Sequence, residues 1–71
     1  MSYTVHYKDD EGNSSSFGPL SKVLEARAAA WTMINRMNEE GEDFREVSAS
    51  LGTSVYEWRS ATGTKVWVKE D

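Results

Sequence analysis

Between Val47 and Lys69 the chain alternates apolar and polar residues, and two glycine-bearing turns interrupt the alternation. Side chains in a strand repeat every two residues, so a slip of one residue would exchange the buried and solvated faces; loop length therefore decides what goes inside. Leu51-Gly52-Thr53-Ser54 has Gly at the first central position of a two-residue loop, the type II′ preference. It predicts Leu51 opposite Ser54, Ala49 opposite Tyr56 and Val47 opposite Trp58. Ala61-Thr62-Gly63 suits a three-residue loop, a type I turn closed by Gly in the left-handed region, and sets Trp58 opposite Val66 and Tyr56 opposite Val68. Read separately, the two turns place Val47, Ala49, Tyr56, Trp58, Val66 and Val68 on one face, and that agreement supports the register.

The N-terminal segment follows the same grammar. Asp10-Glu11-Gly12 forms a three-residue loop that pairs Asp9 with Asn13, Tyr7 with Ser15 and Val5 with Phe17. Tyr3, Val5, Tyr7 and Phe17 then point inward, and Thr4, His6, Lys8, Ser14 and Ser16 outward. One strong helix signal follows, with Ser21 as the expected N-cap, the helix formers Glu25, Ala26, Ala28, Ala29 and Ala30, and Gly41 as the stop. Its apolar stripe is Val23, Ala26, Ala30, Met33, Ile34 and Met37, with Trp31 on the flank. The order reads ββαβββ: a hairpin over 2–18, a helix over 21–40 and a three-stranded meander over 44–69. This is an α+β single domain in which an antiparallel sheet of about five strands buries one face under the helix and leaves the other wet.

Seventy-one residues are too few for two cores, and a chain of this size buries only about 60% of its unfolded surface, so marginal stability and a homodimer are both expectations. There is no Cys, hence neither a disulfide framework nor a thiolate metal site. No apolar run approaches a membrane span, and Met1-Ser2-Tyr3-Thr4 lacks the basic and apolar regions of a signal peptide, so a cytoplasmic location is expected. Gly12-Asn13-Ser14-Ser15-Ser16 reads as a polar strand, because the Phe17 register continues through it.

The net charge of −4 is unevenly placed. If the first strand runs upward, the loop after it, the helix end and the turn at Ala61 to Gly63 all lie at the top, gathering Asp9, Asp10, Glu11, Glu39, Glu40, Glu42 and Asp43. Glu39 and Glu40 sit where the helix dipole disfavours anions. Such an end suits a basic protein partner, although most charge runs are simply solvated. Asp9-Asp10-Glu11-Gly12-Asn13 lacks calcium-loop spacing, so no metal is expected.

The wet face carries Glu46, Ser48, Ser50, Val55, Glu57, Arg59, Lys65, Trp67 and Lys69 in the expected register. Arg59 opposes Lys65, a like-charge pair that costs stability, and Glu57 has Lys65 and Lys69 as diagonal neighbours. His6 and Lys8 extend the patch if the first strand neighbours the last. An aromatic ringed by cations serves as a stacking platform for single-stranded nucleic acid or as a hot spot at a protein interface; its plainer role is to shield the sheet backbone.

Enzyme parts are missing. Ser14 and Ser16 approach His6 across the hairpin, but no nucleophile elbow or oxyanion arrangement is legible, and the glycines have no phosphate-loop spacing. No cofactor is expected. Met33 and Met37 read as core filler. Trp31 either closes the core rim or joins Arg27 and Asn38 in a second contact surface.

A short hairpin, one helix and a meander ending Val55-Tyr56-Glu57-Trp58 and Gly63-Thr64-Lys65-Val66-Trp67-Val68 resembles small phage-encoded anti-CRISPR proteins that pair a half-barrel sheet with a helix. The resemblance implies a non-catalytic inhibitor that occludes the nucleic-acid path of a large nucleoprotein complex. The leading expectation is therefore a small non-catalytic protein-binding domain of phage or mobile-element origin. A single-stranded nucleic-acid binder using Trp67, Lys65, Lys69, Arg59 and Lys8 is the second, and a structural homodimer joined through the sheet face the third.

Overall fold

In a computed structural model of the chain, in which residues 1–47 and 54–71 are described, the elements follow as β1 (Tyr3–Lys8), β2 (Ser14–Leu20), α1 (Val23–Glu39), β3 (Phe44–Val47), β4 (Ser54–Ser60) and β5 (Lys65–Glu70). The five strands form one sheet in the order β2-β1-β5-β4-β3, antiparallel throughout. The expected ββαβββ α+β architecture is present. Turn chemistry alone left the neighbours of β1 open; the chain places β1 against β5, with His6 opposite Trp67 and Lys8 opposite Lys65.

Both three-residue loops close as their glycines require. Asp9 and Ser60 donate to the carbonyls of Asn13 and Thr64, each at 2.9 Å, and Gly12 and Gly63 sit at φ of 91° and 95°, where a side chain would be strained. Their strands pair as expected: Val5 with Phe17, Tyr7 with Ser15, Trp58 with Val66 and Tyr56 with Val68. β2 runs two residues beyond the expected end of the hairpin, because Gly18 and Pro19 together oppose Thr4 as a bulge. A Cβ on Gly18 would come within 3.0 Å of the Tyr3 carbonyl oxygen, so the close strand approach needs glycine there.

The core lies between α1 and one face of the sheet. Ala26, Ala30 and Ile34 of the helix are fully buried against Val5, Trp58, Val66 and Val68, with Met33 and Met37 partly buried beside them. The stripe is the expected one. Small alanines at 26 and 30 let the helix approach the sheet closely enough to cover the Trp58 indole. The helix begins later than expected: Lys22, not Ser21, occupies the N-cap and makes no side-chain capping bond, since an ammonium has no acceptor to offer. Its end is a Schellman motif, in which Gly41 (φ 110°) donates to Asn38 and Glu42 to Met37 at 3.1 Å each. Asn38 then accepts the Phe44 N–H at 3.0 Å, fixing where β3 starts.

β3 departs from expectation by one residue. Glu46, not Val47, lies opposite Trp58, and Val47 lies opposite Glu57. The cause is Phe44: its buried ring takes the helix side of the sheet, and alternation then carries Glu46 to that side and Arg45 and Val47 to the other. Glu46 is stable there because Arg27 of α1 meets its carboxylate at 3.0 Å. The expected pairs of Ala49 with Tyr56 and Leu51 with Ser54, like the orientations of Ser48 and Ser50, lie outside the described residues. The second contact surface expected around Trp31 dissolves, because Arg27 turns to the sheet and Asn38 to Phe44; Trp31 stands 48% exposed on the helix. Phe17 shares the inward face of Val5 yet is 55% exposed.

Candidate functional site

The face of the sheet opposite α1 has no element packed on it among the described residues. Alternation and strand order together decide which side chains reach it. Lys8 lies opposite Lys65, Lys65 opposite Arg59 and Arg59 opposite Arg45, so four cations from four adjacent strands form one transverse row. At roughly 4.8 Å between strands the row extends about 14 Å. Lys69 stands one row pair away on β5, opposite Thr4 and Ser54. Five of the eight Lys and Arg residues in a chain of net charge −4 thus belong to this face.

Three like-charge contacts in succession are unfavourable, each by a few tenths of a kcal/mol. Compensation is partial and sits at one end. Arg59 Nε donates to Glu57 Oε2, and Arg45 meets Asp43 at 3.4 Å. Lys8 is exposed and Lys65 half-buried.

The neighbouring row runs Ser16, His6, Trp67, Glu57 and Val47. His6 and Trp67 stack with ring centroids 5.4 Å apart and planes 19° from parallel. Trp67 therefore faces away from the helix as expected, but as a half-buried partner of His6 rather than a bare indole. An open hollow of 440 Å³ adjoins the stack, bordered by Lys8, Ser14 and Ser16. Glu57, expected at the surface, is fully buried on this face, and its carboxylate accepts from Arg59 Nε. Val55 is 38% exposed.

Three members of the expected acidic end, Asp9, Asp10 and Glu42, have contacts near the two turns. Thr62 of the β4–β5 turn donates to Glu42 beyond the helix at 2.9 Å, and Gly63 lies against Asp10, whose Cβ would be 3.4 Å from a Cβ at 63. The Tyr7 hydroxyl reaches the Asp9 carboxylate at 3.5 Å; burial raises the phenol above its ordinary pKa, and the charges of Asp9, Glu42 and Asp10 add to the rise. Asp9 itself is a hub: its carboxylate accepts from the Asn13 backbone (2.8 Å), the Asn13 amide (3.0 Å) and the Glu11 backbone (3.0 Å). Part of this acidic charge is therefore consumed in building the hairpin turn. Among the described residues no three His, Asp or Glu side chains converge as a metal-ligand set.

Arg45 is the member of the cation row that the sequence reading missed. Phe44 was the available signal, since an aromatic one residue earlier puts Arg45 on the wet face. Comparison with protein-family models, curated proteins and solved structures finds no match for this chain.

Proposed function

We propose that this protein is a non-catalytic binding domain that works through the open face of its sheet, and that the ligand this face fits best is a single-stranded nucleic acid. The observation that carries the reading is the row Lys8, Lys65, Arg59 and Arg45 beside the His6–Trp67 stack. Cations spaced across a sheet track a phosphate backbone, and aromatic rings on the same surface accept bases without regard to sequence. Like charges gathered at a cost to stability are better explained by a polyanion than by the fold.

The test is fluorescence anisotropy of a labelled oligothymidylate of roughly 15 nucleotides titrated with the protein at several salt concentrations. Four phosphate contacts give a slope of log affinity against log salt of about −3, since each contributes about −0.7 on a single strand. No binding at low salt would remove the reading.

A protein partner is the second reading, and the charges of Glu42, Asp9 and Asp10, all of which bear on Tyr7, favour it. On this reading the acidic end meets a basic surface, and an inhibitor of the anti-CRISPR type would set the cation row in a nucleic-acid path. Retention on an immobilised basic protein that is lost with Asp10→Lys and Glu42→Lys, without any oligonucleotide binding, supports it over the first.

A further inference from the structure

The two edges of the sheet are unlike. β3 carries Arg45 and Glu46 within its described residues, Phe44–Val47, and is tied to the helix through Arg27. β2 is seven residues long, exposed over its first six, and is the one described strand with no charged residue: Ser-Ser-Ser-Phe-Gly-Pro-Leu. Sheets protect their edges with short strands, charges and Pro; on β2 only the far end is protected, at Gly18-Pro19.

The hydrogen-bonding phase of β2 follows from the turn. The Asp9 N–H bonds the Asn13 carbonyl, so by antiparallel alternation Ser15 and Phe17 turn their backbone groups to β1, while Ser14 and Ser16 turn theirs to the free edge. Beside this edge, on the helix side, a mainly apolar groove of 430 Å³ runs between Val5, Ala29, Met33 and Met37, with Phe17 as its outer wall and Thr32 and Arg36 also lining it.

We propose that β2 pairs with β2 of a second copy, antiparallel about a two-fold axis at Ser15, joining two five-stranded sheets into one of ten strands. Ser14 of each copy then exchanges both backbone hydrogen bonds with Ser16 of the other. A second copy is the occupant because the β2 strand carries no charge in a chain of net charge −4, so two like-charged molecules can pair backbone to backbone there without opposing charges on the paired strands. The same apposition sets the two grooves side by side and brings each Phe17 opposite Asn13 of the other copy. It also runs the partner's chain from Phe17 toward its Lys22 past the acidic turn at Asp10 and Glu11, a complementary charge contact at each end of the seam.

Sedimentation velocity from low micromolar to near-millimolar concentration tests this, with two variants. Ser16→Pro removes an N–H that β1 does not use, a substitution edge strands tolerate. Ser15→Lys sets two lysines directly opposite each other across the axis at an exposed position. The native chain should reach twice its 8.0 kDa mass, and both variants should remain at 8.0 kDa with unchanged far-ultraviolet circular dichroism. If Ser16→Pro fails to fold, Ser15→Lys decides alone. A native chain that is monomeric throughout, or a dimer that persists in Ser15→Lys, or one that dissociates only with Trp67→Glu, overturns the proposal; the last outcome would locate the contact on the open face.

Discussion

Glu46 stands directly opposite Trp58 on the helix side of the sheet, and its carboxylate meets the Arg27 guanidinium at 3.0 Å. The same guanidinium lies 5.1 Å from the Tyr56 ring centroid and 5.9 Å from that of Trp58. One arginine on the helix thus joins β3 and β4 to α1, and its grip on Glu46 reinforces the facing that Phe44 sets for Arg45.

Arg27→Ala should cost about 1–2 kcal/mol, mostly through lost stacking and aliphatic packing, because the ion pair itself is half exposed and worth under about 1 kcal/mol. Urea denaturation measures the loss, and a double-mutant cycle with Glu46→Ala isolates the pair. Hydrogen exchange at Arg45 to Val47 should quicken more than at β1 if Arg27 holds β3.

Trp58 is 1% exposed, and its indole Nε1 is buried with no hydrogen-bond partner among the described residues. Such an orphan donor costs about 1–3 kcal/mol. Trp58→Phe removes it while leaving a modest void, so its net effect should stay within about 1 kcal/mol, whereas Trp58→Ala should cost about 3–5 kcal/mol. Out of a total stability of roughly 4–10 kcal/mol for a chain of this length, the alanine variant should lose about a third to all, read by circular dichroism as a lowered urea midpoint.

Lys65 separates binding from stability. Its directly opposed neighbours, Lys8 and Arg59, both repel it, so Lys65→Gln should raise stability by a few tenths of a kcal/mol while it weakens oligonucleotide binding and makes the salt slope shallower by about 0.7. Thermal melts and anisotropy on one preparation read both. A variant that loses stability instead would mean that the lysine stem packs a surface the cations need.

Much of this arrangement was legible in advance, and the reasons are local. A three-residue loop with Gly at its third position specifies both its own geometry and the register of the strands it joins, so β1–β2 and β4–β5 could be read residue by residue. β3 could not be read that way. Val47 was placed by apolar character and by a turn at Gly52, while Phe44, nearer the helix and larger, controlled the facing of the strand. The pairing of β1 with β5 depends on two segments separated by the whole chain, and no turn encodes it. The cation row needed both facts.

Asp9 makes the first hairpin responsive to acid. The Asn13 side-chain amide, with the Asn13 and Glu11 backbone N–H groups, holds its carboxyl below the ordinary carboxylate range. A depressed value means that the ionised form is bound more tightly in the folded chain, so the contribution is present above about pH 4 and is lost as the pH falls through the lower folded value. The Asn13 amide resonance should follow that titration in NMR, and Asp9→Ala should abolish the response. The raised Tyr7 phenol works in the opposite sense: its neutral form is favoured, and its contribution is lost only as the pH climbs past about 10.

The acidic turns and the cation row occupy the same end of the sheet, with Asp43 and Arg45 in direct contact and Lys8 immediately before Asp9. The field therefore reverses sign within a few ångströms along the strands but stays positive across them. A flexible anion lying along the strand direction would run into a fence of carboxylates, while one crossing from β1 to β3 would stay in a single corridor. If the open face takes up an anionic chain as proposed, the cation row favours a path across the strands over one that runs toward the acidic turns.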